Sequence, residues 1–566
     1  MSEVDLITEQ RGANGEVISF VDHDDQILPL NLEKPKSFRK FRKFYNIFEE
    51  VIRPRGYPDS VSEDYLKYQI WNTLQSFCNT VSASFKTRTV LKSVGVGDSN
   101  ANALSAAIIW ILRDGTGMIG RILFAWWKGR NFIYNLLGVY SFLKEVILPN
   151  GYPDSVSKDY LEYQIWDTCQ AFCSTIIGAF KTRAVLKGVG VGDSTASALS
   201  AAITWILRDG TGMFGRILFA WWKGSGLDCD CKKWRYFADI LNDAAMLVEL
   251  CLPFYASISM QVLCVTSTMY AIVGISGGAT RASITHHQAI RDNMAEISAK
   301  DGTQETIVNL IGSFGSIFLL NYFSSSRAEW ILIISLMVLH LYTNFLAVKA
   351  LIFNTFNRER LALVLKSYFT IGSVLNPAKV NVNESVLLGF GLNGLKRMCG
   401  FDIVLGESIK KSLNDYAAAD IKLLQSVYKD KKYMLLVNGT KKKIYVCLEK
   451  GETAADVIAG YFHAVCLGIA TSIYNSLDLD IYARRQLHHP TPITRLYTYM
   501  KSYEKSHNHF RNLPPNYLMD FNEFVKQEHS MFFTALDIQG WNIDSHSLAV
   551  GEFRIDWKSS QSKKTI

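Results

Sequence analysis

The sequence has no long block of basic residues. Its 566 residues include 60 Lys and Arg and 52 Asp and Glu, for a net charge of +8, and charges of both signs are interspersed. Nucleic-acid binding depends on a concentrated basic face, so the sequence argues against a nucleic-acid partner. The polar, acidic start, "MSEVDLITEQRGANGEVISF", also lacks the basic and then apolar stretches of a cleaved secretory signal.

The sequence also lacks paired Cys-x-x-Cys motifs. Its ten cysteines are dispersed, and most lie in apolar surroundings, as Cys173, Cys251 and Cys264 do. This distribution is typical of reduced core thiols in a cytosol-facing protein and not of a disulfide framework. Cys229 and Cys231 have no second Cys/His pair at zinc spacing, so we predict no metal site.

Motifs of several enzyme classes are missing as well. There is no His-Glu-x-x-His zinc motif and no kinase-type loop, and the clustered polar residues form no recognisable set of nucleophile, base and oxyanion hole. We therefore predict no catalytic residues and no enzymatic activity. The residues by themselves indicate no cofactor.

Apolar residues, by contrast, are abundant, at 48% of the chain. Three apolar runs are candidate membrane spans, with a buried core helix as the alternative: 258–278, the shorter 307–323, and 330–353, which is the strongest. Basic residues flank the last two runs, so the positive-inside rule places both flanks in the cytosol, together with the C-terminal region. The lipid bilayer is thus the expected partner, and no organelle is indicated.

A long segment occurs twice. Residues 56–129 align without a gap to residues 151–224, at a constant offset of 95, and 16 of the 74 positions differ. We take 151–224 as the copy integrated into the rest of the domain and 56–129 as supernumerary. Either joined alternative exons or a genuine tandem protein would give this pattern. Each copy reads as a helix, a glycine loop and an apolar helix, which we expect to be broken at Gly210 and Gly212.

The predicted fold class is mainly α, with a multi-helix membrane-associated domain followed by a small α+β C-terminal domain. The α+β prediction rests on a hairpin around Asn438 and Gly439 between helical segments. The predicted domains are a polar N-terminal segment (1–40), the supernumerary copy (41–142), the main helical domain (143–380), the α+β domain (381–478) and a tail with short helices (479–566).

One candidate ligand site follows the first apolar run. In "GISGGATR", Gly277 and Gly278 would free backbone N–H groups for a phosphate or carboxylate, and Arg281 would supply a positive fork. The polar segment that follows adds His286, His287 and Arg291, and its alternative reading is a solvated helix with ordinary ion pairs. The glycine loop at 188–194 is a weaker anion site, with a tight turn between packed helices as the alternative.

A second candidate is a set of charges on apolar helices. Asp239 and Asp243 share one helical face, while Arg208, Asp209 and Arg216 interrupt the apolar part of the repeat. Such charges are costly unless they are paired or hydrated. We expect either an ion pair of Arg208 or Arg216 with one of the two aspartates, or a polar solute path.

Several long motifs resemble one family. They include "PNGYPDSVSKDYLEYQIWDTCQAFCS", "WILRDGTGMFGRILFAWWKG", "KKWRYFADILNDAAM" and "GWNIDSHSLAVGEFRIDW". Together they resemble the root UVB sensitive family over most of 143–380, and more weakly beyond. The extra copy departs from the family pattern, in which this block normally occurs once.

The resemblance implies no established reaction. Plant members of the family are associated with ultraviolet-B sensing and vitamin B6 balance, and animal members are described as membrane proteins. We therefore expect a non-catalytic integral membrane protein that handles a small solute or a cofactor, such as a vitamin B6 compound, or that serves as a membrane scaffold. The alternatives are a soluble or peripheral phosphate-ligand-binding protein or enzyme, and an interaction module that pairs with a paralogue or with itself.

Overall fold

The chain forms two compact units. One comprises residues 64–352 with 386–388, and the other comprises residues 1–63, 353–385 and 389–566. The computed structural model describes residues 5–12, 17–23, 26–29, 61–93, 95–96, 98, 100–128, 147–224, 226–323, 326–391, 394–413, 416–477, 479, 490–502 and 513–558.

The first unit, called here the helical unit, is built from long helices. A 3-10 helix, Leu252–Ile258, leads directly into the sixth of them. The helices are α1 (Tyr65–Ser93), α2 (Ala103–Lys128), α3 (Tyr160–Gly188), α4 (Ala198–Lys223), α5 (Cys231–Leu250), α6 (Ser259–Gln288), α7 (Met294–Tyr322) and α8 (Ser326–Ala350).

Helix α3 lies at the centre of this unit, packed against α5, α7 and α8. Ile176, Ile177 and Phe180 recur at three- and four-residue spacing and are buried together with Met246 and Leu320. Because several faces of α3 are covered, its apolar residues form no single stripe. The helix predicted for the first part of the second copy is therefore confirmed, and it is a core element.

The predicted break at Gly210 and Gly212 is wrong. Helix α4 runs through both glycines as one 26-residue helix. A Cβ atom at Gly212 would lie 2.5 Å from the Ser267 hydroxyl oxygen, and one at Gly215 would lie 2.7 Å from a methyl carbon of Thr268. The glycines thus allow α4 and α6 to approach closely, as small residues do at helix–helix contacts.

The two copies of the repeat meet different surroundings. Tyr163 in α3 is 4% exposed, whereas its counterpart in the first copy, Tyr68, is 64% exposed. Helix α1 packs on α4, and α2 packs on α3 and α7. Closely similar sequences therefore form a core helix in one copy and a helix with many exposed residues in the other.

Three helices in the described part of the chain are long and apolar enough to cross a membrane: Leu252–Gln288, Arg327–Ala350 and Ala454–Tyr474. Burial in their most apolar stretches is 17%, 39% and 94%, respectively. The third helix is thus explained as the core of its own unit. The first two, both in the helical unit, leave most of their apolar surface uncovered.

The predicted spans fit these helices in part. Runs 258–278 and 330–353 overlap the first two helices, but 307–323 lies in α7, which is not among the three. The N-terminal half of α7 carries charged residues, including Glu296 and Asp301, and its remaining apolar part is short. A membrane span needs about twenty apolar residues, which α7 does not supply.

The second unit combines helices with two sheets. Its helices are α9 (Arg358–Ile371), α10 (Pro377–Asn383), α11 (Gly394–Cys399), α12 (Ala418–Val427), α13 (Ala454–Tyr474), α14 (Pro492–Lys501) and α15 (Pro515–Ile538), with a 3-10 helix at Ile409–Lys411. Its strands are β1 (Asp5–Arg11), β2 (Val17–His23), β3 (Gln26–Pro29), β4 (Asp402–Leu405), β5 (Tyr433–Asn438), β6 (Lys443–Leu448) and β7 (Phe553–Asp556).

One sheet has the strand order β4-β6-β5 and contains the predicted hairpin. Strands β5 and β6 pair antiparallel, with Leu435 opposite Val446, while β4 pairs parallel to β6. The hairpin around Asn438 and Gly439 is thus confirmed. Helix α13, which begins at a capping box formed by Thr453 and Asp456, packs on this sheet.

The other sheet, in the order β3-β2-β1-β7, joins the two ends of the sequence. The N-terminal segment, expected only to be polar, supplies three of its strands, and Thr8 pairs with Asp556. The buried carboxylate of Glu9 accepts hydrogen bonds from the Ile409 amide at 2.7 Å and the Ser408 hydroxyl at 2.9 Å. These bonds tie the N-terminal strands to the rest of the unit.

The close approach of α4 and α6 predicts different effects of one substitution in the two copies. Gly215→Ala should lower the free energy of unfolding by about 1–3 kcal/mol, because the added methyl group collides with Thr268. Gly120, its counterpart, meets no described atom within 4 Å, so Gly120→Ala should preserve or slightly raise stability. Thermal unfolding of the full chain, followed by circular dichroism, measures both, and equal effects would contradict the packing.

Candidate functional site

Polar side chains converge where α3, α5 and α8 pack together. Asp239 and Asp243 lie one turn apart on α5, His340 and Asn344 lie one turn apart on α8, and Gln170 comes from α3. All five side chains are buried. We call these five residues the central polar cluster.

Hydrogen bonds connect the members of the cluster. The Gln170 amide nitrogen lies 3.3 Å from Asp239 Oδ1 and 3.1 Å from His340 Nε2, and His340 Nδ1 lies 2.9 Å from Asp243 Oδ2. The Asn344 amide donates to Asp239 Oδ2. Since the Gln170 amide is a donor, His340 accepts at Nε2 and donates from Nδ1 to Asp243. The cluster thereby fixes the orientation of the imidazole.

One cation lies at the edge of the cluster. Arg235 donates to Asp167 Oδ1 at 2.9 Å, and its Nε lies 3.9 Å from Asp239 Oδ2. Burial raises the pKa of Asp239, although the charge of Arg235 acts in the opposite direction. Burial thus disfavours the charged form of this carboxyl.

The prediction that Arg208 or Arg216 pairs with Asp239 or Asp243 is wrong. Within the described residues, neither Arg208 nor Arg216 makes an ion pair with Asp239 or Asp243. Arg208 is half-buried on α4 with its guanidinium 5.0 Å from the centre of the Trp205 ring, and Asp209 and Arg216 are exposed. The five charges therefore do not form one cluster.

Two acceptor atoms of the cluster have no hydrogen-bond partner among the described residues. They are Asp243 Oδ1 and Asn344 Oδ1, and both are buried. A buried polar atom without a partner costs free energy, on the order of 1–3 kcal/mol. The cluster therefore presents two oxygens that a donor group of a ligand can satisfy.

A second buried carboxylate was missed from the sequence. Glu249 near the end of α5 is fully buried and accepts from the Thr266 hydroxyl at 2.7 Å and the Tyr270 hydroxyl at 3.2 Å. Lys181 Nζ on α3 lies 3.8 Å from the same carboxylate. The available signal was a single acid in the apolar run "AAMLVELC", which marks a buried charge that needs partners.

The loop expected at Gly277 and Gly278 is wrong. Both glycines lie inside α6, which continues to Gln288, so helical hydrogen bonds use the backbone N–H groups there. Arg281 donates to Asp301 Oδ2 at 2.7 Å and to Glu305 Oε2 at 2.9 Å, both on α7. This geometry offers no loop amides to an anion, and carboxylates already engage the arginine.

Ser276 illustrates the same point. Residues 274–278 fit the Gly-x-Ser-x-Gly spacing of hydrolases, so the prediction that the sequence lacks this motif is wrong. That motif activates its serine on a sharp turn between a strand and a helix, whereas Ser276 lies buried in the middle of α6. The local structure therefore does not form a nucleophile elbow.

The histidines of the predicted ligand site also separate. His287 Nε2 lies 2.9 Å from Asp159 Oδ2, which accepts from the Ile352 amide at 2.6 Å as well, whereas His286 and Arg291 are exposed. Burial alone would raise the pKa of Asp159, but its hydrogen bonds and the nearby His287 outweigh burial and lower it. The role of His287 is to anchor the start of α3.

The fold and the site describe a mainly helical protein with an acid–histidine cluster buried among its helices. Comparison with known proteins identifies the family. The profile described as "Vitamin B6 photo-protection and homoeostasis domain" matches residues 39–137 and again 134–372, and "Root UVB sensitive protein, C-terminal" matches 373–557. The chain therefore belongs to the root UVB sensitive family, and its repeated segment carries a second match to the first profile.

Individual relatives agree with this assignment. "RUS family member 1" of Dictyostelium discoideum is 46% identical over 256 residues, which is 44% of this chain and 48% of that protein. "Protein root UVB sensitive 3" of Arabidopsis thaliana is 36% identical over 57% of this chain and 74% of that protein. The chain thus spans about half of the first relative and about three quarters of the second. No solved structure matches it.

The anchoring role of Asp159 predicts a pH-dependent loss of stability. Because its pKa is lowered in the folded state, its contribution is complete above the usual carboxyl value of about 3.9 and disappears as the pH falls through the lowered value. Asp159→Asn should therefore lower the free energy of unfolding at pH 7 by about 1–3 kcal/mol, and the two proteins should converge in acid.

The repeat supplies a matched control for this prediction. Asp64 occupies the corresponding position in the first copy and is exposed, so Asp64→Asn should change stability by no more than about 0.5 kcal/mol. Thermal unfolding between pH 3 and pH 7, a range set around the usual carboxyl pKa of about 3.9, compares the variants. A loss for Asp159→Asn that persists unchanged at the acid end would contradict the assigned role.

Proposed function

We propose that this protein is an integral membrane protein whose helical unit binds a small polar solute at the central polar cluster and handles it without catalysis. One observation carries the proposal. Helix α8 combines buried polar side chains, His340 and Asn344, with large exposed apolar ones, Ile331 and Val338. Polar groups inside and apolar groups outside favour a lipid environment with a functional polar interior.

The apolar exterior extends beyond α8. On α6, Val265 is more than half exposed, and on α7 the same is true of Phe314 and Phe318. A soluble monomer rarely exposes an apolar patch larger than a few hundred Å². A bilayer accounts for exposed apolar side chains on several neighbouring helices. The basic residues that follow α8 in the sequence, Arg358, Arg360 and Lys366, then support a cytosolic location for the C-terminal unit by the positive-inside rule.

The chemistry of the cluster narrows the class of solute. Asp243 Oδ1 and Asn344 Oδ1 are buried acceptors that have no partner among the described residues, so they suit a solute with N–H or O–H donors or a positive charge. The matching profile names vitamin B6, and the vitamers carry hydroxyl groups and a basic pyridine nitrogen. Pyridoxine and pyridoxal are therefore the first solutes to test.

The surroundings of the cluster support the absence of catalysis. A cysteine nucleophile needs a thiolate, which a lowered pKa supplies. Burial raises the pKa of the Cys173 thiol to about 11, and the nearby negative charge of Asp243 acts in the same direction. The thiol therefore stays protonated at neutral pH. The two buried acceptor oxygens of the cluster are better suited to binding a solute.

Carbonate extraction tests the membrane component. Membranes from cells that express the full chain with a C-terminal tag should retain the protein in the pellet, and protease should reach the tag in sealed vesicles that expose their cytosolic face. Retention is expected because apolar side chains of α6 and α8 would otherwise face water. Release into the supernatant would reject the membrane proposal and favour a protein partner on the same surface.

Solute binding tests the cluster itself. Pyridoxine or pyridoxal should quench tryptophan fluorescence of the purified full chain, and Asp243→Asn should weaken binding about tenfold or more, since charge-assisted hydrogen bonds contribute about 1.5–3 kcal/mol. Asp209→Asn is the matched control, because this exposed acid of α4 lies outside the cluster. Membrane retention without binding of either compound would favour a scaffold, and equal affinities in both variants would exclude the cluster as the site.

A further inference from the structure

The two copies of the repeat face each other residue for residue. Val96 forms an antiparallel bridge with Val191, and the ring centroids of Trp110 and Trp205 lie 6.2 Å apart. In both pairs the partners are counterparts, offset by 95 positions. A residue meets its own counterpart near the axis of a two-fold symmetric interface, so the copies are arranged as two subunits of a dimer would be.

A small hydrophobic core follows the same symmetry. Its buried members come in pairs of counterparts that are identical in sequence and buried on both sides. These pairs are Leu91 and Leu186, Val96 and Val191, Ala106 and Ala201, and Ala107 and Ala202. Each copy thus contributes the same surface, as a self-complementary interface requires.

The helix contacts between the two copies are symmetric as well. Helix α1 of the first copy packs on α4 of the second, and α2 of the first packs on α3 of the second. Exchanging the two copies leaves this description unchanged. The glycine loop takes part, since a Cβ atom at Gly192 would lie 2.8 Å from the Ala101 carbonyl oxygen of the other copy. The second reading of loop 188–194, a tight turn between packed helices, therefore fits this geometry.

Several differences between the copies lie on the side that faces the core of the helical unit in the second copy. In the second copy Ile176, Ile177 and Ala179 are buried in the core of the helical unit. The first copy has Val81, Ser82 and Ser84 at these positions. The four buried pairs between the copies are thus identical, while these three core positions differ. The two serines make the first copy less apolar at these positions than the second.

We infer that the block 151–224 carries a two-fold self-association surface, and that residues 56–129 occupy in this chain the place of a second subunit. A chain with a single copy pairs with another such chain through Val191, Ala201, Ala202 and Trp205. The partner is a second copy of the same block. This inference does not depend on the proposed solute or on the membrane.

Charge pairs in the full chain test the contact directly. Val96→Glu with Val191→Glu places two carboxylates opposite each other, whereas Val96→Glu with Val191→Lys places opposite charges there, and like charges across a bridge are destabilising. The like-charge variant should melt about 3 °C or more below the opposite-charge variant. Equal melting temperatures of the two variants would overturn the residue-for-residue pairing.

Removal of one repeat unit tests pairing between chains. Deleting residues 56–150 joins Arg55 to Gly151, so that "EVIRPR" replaces the similar "EVILPN" ahead of the intact second copy. Two differently tagged forms of this chain should co-purify. Val191→Glu and Val191→Lys should each lose self-pairing, and co-expression of the two should restore it.

The control uses the same loop. Thr195 is exposed four positions after Val191, so Thr195→Glu and Thr195→Lys should leave co-purification unchanged. Two results would overturn the inference: a shortened chain that stays monomeric, or pairing that ignores the charge at Val191. Restoration by the mixed pair also shows that the single variants fold.

Discussion

A carboxylate buried among helices must find partners, and this constraint governs the packing of the helical unit. Asp239 and Asp243 on α5 meet Gln170 from α3 and His340 and Asn344 from α8. Removing the partner of a buried charge costs several kcal/mol, more than most single apolar contacts contribute. Because the partners come from different helices, the hydrogen bonds fix how α3, α5 and α8 are rotated about their axes.

The need to pair buried carboxylates also affects which side chains lie on the outside of the helical unit. Polar side chains take the inner faces of α5 and α8, so much of the apolar surface of the unit lies outside, on residues such as Ile331 and Val338. A water-soluble bundle has the opposite arrangement, with its apolar stripe inward. The C-terminal unit follows the soluble pattern, and its apolar helix α13 is enclosed by sheet and helices.

The sequence predicted those features that depend on residues close together in the chain. The turn residues Asn438 and Gly439 specified their hairpin, and the spacing of Asp239 and Asp243 placed both acids on one helical face. Their partners were not predictable, because His340 is about a hundred positions away and nothing in its own segment indicates pairing. The prediction chose Arg208 for its position in an apolar helix, whereas Arg235 lies one turn before Asp239 on the same helix.

Other differences have the same origin. Glycine weakens an isolated helix by about 1 kcal/mol, which favoured a break in α4, but contact with α6 at Ser267 and Thr268 makes glycine the residue that fits. The N-terminal strands were missed because their partner strand, Phe553–Asp556, lies at the other end of the sequence. Long-range pairing of this kind leaves little trace in a short window.

The repeat separates the effect of sequence from the effect of surroundings. Gln170 is buried in the central polar cluster, whereas its counterpart Gln75 is exposed, and Asp167, which binds Arg235, is replaced by Asn72. The chain contains α5 and α8 once, so a second cluster has no partners from which to form. The duplicated block therefore doubles the self-association surface while the polar site stays single. A two-fold pair of single-copy chains would, by the same reasoning, carry two such sites, one in each helical unit.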